Sequence, residues 1–246
     1  MLVVVDIGNS NIVLSKYEKT LGPTYRFTTD KLKSVDEYYV LLRDVLEGVD
    51  AIIVSSVVPE LNIIIKNLMV KYFNIVPMFV GPGIKTGVKI IVDNPKEVGA
   101  DIVASAAAAI NQYSDCIIVV DMGTATTFTY IDQKVIKGVA IMAGLITQRD
   151  ALISHASQLS QFEFKTPEKM LGTNTIDSLN SGLLYGHSLM IAGMAEQIKK
   201  EYGTNPKLIV SGGASRFIKE LLQYDTIYDE LLLLKGLVLI YQKNQK

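Results

Sequence analysis

The chain has 246 residues, 49% apolar and 20% charged, with a net charge of −1 from 24 basic and 25 acidic side chains. That is one large domain or two small ones, too apolar for disorder, and its balanced charge gives no reason to expect nucleic acid as a partner. One cysteine, Cys116, and two histidines, His155 and His187, exclude a disulfide framework, a paired-cysteine zinc or redox site and a multi-histidine metal site.

The first predicted element is the apolar run at residues 2–5, a buried strand. The chain opens directly on it, which argues against a signal peptide, and no stretch approaches the ~20 apolar residues of a membrane span. A soluble, cytoplasmic α/β protein is expected. Strands follow at 12–16 and 51–57, then a helix at 60–73, a strand at 78–80 and a loop at Gly81-Pro82-Gly83. Asn94-Pro95-Lys96-Glu97 reads as a helix start, with Asn as cap and Pro at the first helical position, opening a helix to about residue 112. Strands at 117–120 and 126–131 follow, then helices at 146–161 and 178–202 and a short strand at 208–210. Two last helices are expected at 215–223 and 231–243.

A long-period repeat organises these elements. Leu2-Val3-Val4-Val5-Asp6-Ile7-Gly8-Asn9-Ser10 resembles Ile117-Ile118-Val119-Val120-Asp121-Met122-Gly123-Thr124-Ala125. Each is a β-branched run ending in Asp, an apolar residue and Gly, and each is followed by a second strand. Two similar halves are expected, 1–114 and 115–246. Glycine lets backbone N–H groups approach an anion, and the strand-end carboxylate can hold a cation that neutralises phosphate charge. Paired in this way, the turns are the pattern of the actin-like ATPase fold, in which two ribonuclease-H-like halves hold a nucleotide in the cleft between them. A third glycine turn, Ser211-Gly212-Gly213, follows the strand at 208–210; in that superfamily such a turn lies under the adenosine.

Asp101 stands apart. It is expected about two turns into a helix of Ala, Val and Ile, whose small side chains imply close packing. A carboxylate buried there costs several kcal/mol, about 2–7 for a polar group and more for a charge, unless it is paired or neutral.

Taken together, these motifs resemble the type III pantothenate kinase family, the Bvg accessory factor-like group. The resemblance spans essentially the whole chain. It rests on Asp6-Ile7-Gly8-Asn9-Ser10-Asn11, Ser55-Ser56-Val57-Val58-Pro59, Gly81-Pro82-Gly83-Ile84-Lys85-Thr86-Gly87 and Asp93-Asn94-Pro95. It continues through Val98-Gly99-Ala100-Asp101, Asp121-Met122-Gly123-Thr124-Ala125-Thr126-Thr127, Asn174-Thr175 and the ending at 236–241. The resemblance implies ATP-dependent phosphorylation of pantothenate to 4'-phosphopantothenate, the first step of coenzyme A biosynthesis, with Mg2+ accompanying ATP. It implies that Asp6, Ile7, Gly8, Asn9, Ser10, Asn11, Ile12 and Val13 hold the ATP phosphates, that Thr124 contacts ATP, and that Gly212 and Gly213 lie at the nucleotide. Asp101 would be the general base. Val92, Gly99, Ala100, Ile102 and Thr175 would meet pantothenate, and Asp121 would bind a potassium or ammonium ion.

The chain departs from the family pattern in places. Val92 stands where many members have Tyr, and Ile102 where Arg often follows the Asp. The family loop with two leading glycines and a Pro reads Gly138-Val139-Ala140-Ile141-Met142-Ala143-Gly144. Two other classes stay open: a non-catalytic nucleotide-binding homologue and an actin-like phosphohydrolase. A homodimer is expected from the resemblance, and it agrees with Gly182, Gly186 and Gly193, which fall within about 40° on one face of the helix at 178–202. Three glycines there cost about 1 kcal/mol each relative to Ala and call for a close neighbour. Leu183, Met190 and Met194 flank the stripe as candidate apolar contacts.

Overall fold

In a computed structural model, residues 1–155 and 161–245 are described. The chain divides into two compact units, Met1–Gln112 with Leu232–Lys246, and Tyr113–Leu231. The elements of the first are β1 (Leu2–Ile7), β2 (Asn11–Tyr17), β3 (Leu21–Thr28), α1 (Val35–Leu46), β4 (Ala51–Ser56), α2 (Pro59–Phe73), β5 (Met78–Phe79), β6 (Lys89–Ile90) and α3 (Ala100–Gln112). The second unit contains β7 (Ile117–Met122), β8 (Ala125–Asp132), β9 (Val135–Ala143), α4 (Leu145–His155), α5 (Thr175–Tyr202), β10 (Lys207–Ser211) and β11 (Thr226–Tyr228). The last helix, α6 (Leu232–Asn244), returns to the first.

The repeat is structural. Strands of the first unit lie in the order β3-β2-β1-β4-β5, and the corresponding strands of the second in the order β9-β8-β7-β10-β11. In each, the first strand is antiparallel to the second and parallel to the fourth. β1 and β7 share one burial sequence: four buried residues, a half-buried Asp, then a buried residue. Two-sided burial is what a continuous β-branched run in a central strand demands.

The sequence places 115–246 together, whereas α6 packs in the first unit, against α3, β1 and β4. The reason lies in α3. Ala104, Ala106, Ala108 and Ala109 are fully buried, and a Cβ built on Gly236 of α6 would strike the backbone of Ala104. The two helices cross so closely that each presents small residues, which accounts for the alanine run.

Other expectations are corrected. Asn94 caps only a 3-10 turn, Pro95–Glu97, through a bond from the Lys96 N–H; α3 starts afresh at Ala100, so Asp101 lies in its first turn rather than its third. The helix expected at 215–223 is one 3-10 turn, Ser215–Phe217. Residues 138–143, expected as a loop, belong to strand β9. The helix expected over 146–161 runs Leu145–His155, and residues 156–160 lie outside the described residues. Helix α1, with a complete capping box between Ser34 and Glu37, and strands β3, β6 and β11 are additions to the sequence reading.

Candidate active site

In the first unit, Asp6 ends β1 between Val13 of β2 and Ser55 of β4. Four residues, 8–11, join the paired Ile7 and Ile12. The turn is closed by the Gly8 N–H donating to Asn11 O at 2.9 Å, and is pinned by Thr29, whose hydroxyl donates to Gly8 O at 2.6 Å and whose N–H donates to Ser10 O at 3.0 Å. Asn9 and Ser10 are exposed at its tip. Ile7 and Ile12 are fully buried in the core, so any ligand contact they make is through backbone. Val13 is half-buried and faces Arg26 on β3. Ser55, beside Asp6, is fully buried, and its hydroxyl has no partner among the described residues.

Asp101 belongs to the same unit. Helix α3 begins with the Val103 N–H donating to Gly99 O at 3.1 Å, which makes Gly99 the cap. The Asp101 carboxylate folds back onto that cap: Oδ1 accepts from the Ile102 N–H at 2.8 Å, and a Cβ at Gly99 would collide with the same oxygen. The missing side chain at Gly99 is what leaves room for the carboxylate in this position. The half-buried Ala100 and Ile102 flank it, and the side chain of Val57, just past β4, lies 3.6 Å from where a Gly99 Cβ would stand. Burial pushes the Asp101 carboxyl above the ordinary carboxylate range, against a smaller opposing pull from backbone N–H groups at the helix start. Val92 is half-buried in the segment before the 3-10 turn.

In the second unit, Asp121 ends β7 between Thr127 of β8 and Ser211 of β10, the position Asp6 holds in the first. The turn here is one residue shorter: 123–125 join the paired Met122 and Thr126, and the Gly123 N–H donates to Ala125 O at 2.9 Å. This turn is crowded. Gly144, preceding α4, lies so close that a Cβ would strike the carbonyls of Gly123 and Thr124, and its N–H donates to Thr124 O at 3.0 Å. The Thr147 hydroxyl donates to the same carbonyl at 2.7 Å. Gly212, at φ 87°, lies against Asp121 Oδ1 and the Met122 backbone, and the Ala214 N–H donates to Met122 O at 3.2 Å. Asp121, Thr124, Gly212 and Gly213 are thus brought to one edge of this unit, with Thr124 and Gly213 exposed.

A further layer lies beneath that turn. His187 of α5 is buried, with Nε2 3.0 Å from the Thr126 hydroxyl and Nδ1 3.4 Å from Gln148 Nε2; the Gln148 amide also donates to Ala143 O at 2.8 Å. Burial lowers the His187 pKa to about 4, so the ring is neutral at pH 7. Sequence reasoning gives His187, Gln148, Thr147 and Thr126 no role in the site. Helix α4 is expected from sequence, but no local signal shows that its first turn reaches His187 and the 123–125 turn. Thr175 stands elsewhere, exposed as the first residue of α5, about 18 Å of helix rise from His187.

No group of three or more His, Cys, Asp or Glu capable of holding a metal occurs among the described residues. The oxygens at Asp121 and the Met122 carbonyl, crowded where Gly212 has no Cβ, are hard donors of the kind that suit Mg2+ or an alkali-metal ion.

Residues 2–197 match the family model described as type III pantothenate kinase. A type III pantothenate kinase of Halalkalibacterium halodurans is 41% identical over 253 residues, covering 99% of this chain and all of that protein. One from Citrifermentans bemidjiense is 43% identical over 255 residues, with both chains fully covered. Among solved structures, a conserved Baf family protein from Campylobacter jejuni superposes with a TM-score of 0.65 at 22% identity, covering 98% of each chain. A ROK family glucokinase from Streptomyces griseus does so with a TM-score of 0.50 at 14% identity, again covering 98% of each. At those identities the structural likeness carries the fold alone, and it is that of the actin-like ATPases. The family match, running through both Asp-Gly turns and the Gly99-Ala100-Asp101 start of α3, carries more: the chain belongs to the type III pantothenate kinase family.

Proposed function

We propose that this chain transfers the γ-phosphoryl group of ATP to the terminal hydroxyl of pantothenate in coenzyme A synthesis, with Asp101 as general base. The observation that carries the assignment of the base is the Asp101 carboxyl, folded onto Gly99 at the start of α3 and raised in pKa by burial. A base of raised pKa takes a proton more readily at neutral pH than an exposed carboxylate. In a loose phosphoryl transfer it orients the hydroxyl and accepts its proton late. In the first unit, Asp6 and the 8–11 turn take phosphate oxygens, with Asn9 and Ser10 as exposed donors. Gly99, Ala100, Ile102 and Val92 border the acceptor alcohol. In the second unit, Thr124 and the Gly212-Gly213 turn take the rest of the nucleotide, and Asp121 holds a potassium or ammonium ion. Mg2+ accompanying ATP would neutralise phosphate charge that a carboxylate beside it would otherwise repel.

A cytoplasmic location is part of the same reading, since the reaction draws on ATP and a small soluble acid; no helix among the described residues is long and apolar enough to cross a membrane. A homodimer completes the reading. Gly182, Gly186 and Gly193 are exposed, and a Cβ on any of them would meet nothing within 4 Å. Their apolar neighbour on that face is Leu189, since Leu183 is buried in the core and Met190 and Met194 are half-buried. A second copy packed on this face would explain the glycines and let Thr175 serve the partner's pantothenate. Light scattering on the wild type and on Gly186→Leu decides this. The dimer expectation is a mass near twice 27 kDa for the wild type, with assembly and activity lost together in the variant. A fully active wild type near 27 kDa refutes the dimer, and a dimeric, active variant places the interface elsewhere.

The reaction itself is tested by a coupled ADP-release assay with and without pantothenate, in potassium and then in sodium. Turnover should require pantothenate and be weak in sodium alone. ADP release that ignores pantothenate would indicate a phosphohydrolase, and nucleotide binding without turnover a non-catalytic homologue.

A further inference from the structure

The His187 network has no part in the reading above, yet its chemistry is tightly determined. The Gln148 amide donates to Ala143 O, so its NH2 end faces His187 Nδ1, which must accept. A neutral imidazole that accepts at Nδ1 carries its proton on Nε2, and Nε2–H then donates to the Thr126 hydroxyl oxygen. Both ring nitrogens are committed, and protonation at Nδ1 would set N–H against N–H. The lowered pKa of the buried ring agrees with this arrangement.

The two partners belong to different elements. Thr126 immediately follows the 123–125 turn at the start of β8; Gln148 lies in the first turn of α4, where its N–H donates to Gly144 O at 2.9 Å. Within the turn itself, Gly144 N–H and Thr147 Oγ1 hold Thr124 O. The turn is therefore held by the start of α4 and, through Thr126, by a histidine on α5.

We infer that His187 is a positioning residue for the nucleotide: by joining Thr126 to Gln148 it holds the 123–125 turn in one register with the start of α4, the register in which Thr124 meets ATP. The inference rests on the nucleotide reading proposed above. It concerns nucleotide affinity and has no reason to touch pantothenate.

The test uses the enzyme, four single variants and the His187→Phe/Thr126→Val double variant. His187→Phe keeps a ring and removes both bonds; Thr126→Val keeps shape and removes one. His187→Gln restores a donor toward Thr126, and Asp121→Asn probes the nucleotide reading independently. The readouts are Kd for ATP by calorimetry, KM for ATP and for pantothenate, and the 15N shifts of the His187 ring. The ring should show the Nε2–H tautomer at pH 7. His187→Phe and Thr126→Val should each weaken ATP about tenfold and leave the pantothenate KM within about twofold; the double variant should be little worse than either, and His187→Gln should recover most of the loss. If His187→Phe does not fold, Thr126→Val carries the same comparison. ATP affinity within about twofold of wild type in both Thr126→Val and His187→Phe, while Asp121→Asn weakens it, overturns the inference and leaves the nucleotide reading standing. Equal loss for ATP and pantothenate also overturns it, since that is the result of a structural role alone. Unchanged ATP affinity in all variants, Asp121→Asn included, overturns the nucleotide reading and the inference with it.

Discussion

The turns after β1 and β7 occupy equivalent positions in equivalent sheets, yet they are built differently. Asp6 and Asp121 share the same burial, the same antiparallel neighbour strand and the same serine on the parallel side, Ser55 or Ser211. Beyond the Asp they part. The first turn has four residues and an exposed tip, and the tightest neighbour of a Cβ at Gly8 would be Asn11 O at 3.3 Å. The second has three and is closed in by Gly144, Gly212 and Thr147, with His187 behind it. The same strand-turn-strand pattern thus occurs twice, open at its tip in the first unit, which also holds the raised carboxyl of Asp101, and closed in by its neighbours in the second.

This contrast predicts where function is most sensitive. Asp101→Asn keeps the size of the side chain and removes the proton acceptor, so kcat should fall roughly 10²–10⁴-fold, with the circular-dichroism melting curve little changed. Because the folded Asp101 carboxyl sits above the usual carboxylate range, wild-type kcat/KM should fall as pH drops through that raised value, and the limb should vanish from the residual activity of the variant. More than half the wild-type turnover in Asp101→Asn would reject the base.

The closed turn should fail differently. Asp121→Asn should abolish the gain on replacing sodium by potassium, whereas Asp6→Asn should lower activity in both salts; equal salt responses in the two variants would erase the distinction. Glycine replacements compare the turns mechanically. Gly212→Ala puts a Cβ at φ 87° against Asp121 and the Met122 backbone, and should cost at least about 2 kcal/mol. Gly8→Ala meets a single tight contact, which a shift of a few tenths of an ångström at Asn11 O relieves, and should cost about 1 kcal/mol or less. Thermal unfolding of the two variants ranks them, and the opposite ranking would contradict the open-versus-closed description.

A separate effect falls on pH-dependent stability, and only under acid conditions. His187 has a folded pKa of about 4 against an ordinary 6.5, so the folded state binds fewer protons. Its contribution is present above about pH 6.5 and is lost as pH falls toward 4, about 3 kcal/mol in all. Melting temperatures at pH 7.5 and 4.5 should therefore lie closer together in His187→Gln than in the wild type. An unchanged gap would mean that the histidine is not held neutral by the fold.

Much of this was legible in sequence, for identifiable reasons. Two β-branched runs ending in Asp-x-Gly announce both central strands and both turns, because burial on two faces leaves little choice of residue. The alanine run of α3 announced close packing but not its partner: Gly236 lies 132 positions from Ala104, and nothing local in α6 says which unit it joins. Asp101 was identified as a constrained carboxylate, yet its place in the first turn was missed, because the Asn94-Pro95 signal opens a single 3-10 turn and Gly99 restarts the helix. The support for the second turn was invisible for another reason. His187, Gln148 and Thr126 are 61 positions apart at the extremes and carry no shared spacing. Only the fold makes them neighbours.

The central claim, phosphoryl transfer to an alcohol rather than to water, is tested most directly by phosphorus NMR of the enzyme with ATP, Mg2+, potassium and pantothenate. The account predicts one new phosphomonoester resonance growing in equal proportion to ADP, with no inorganic phosphate and no ADP when pantothenate is left out. Inorganic phosphate appearing in place of the ester, at a rate indifferent to pantothenate, would contradict it.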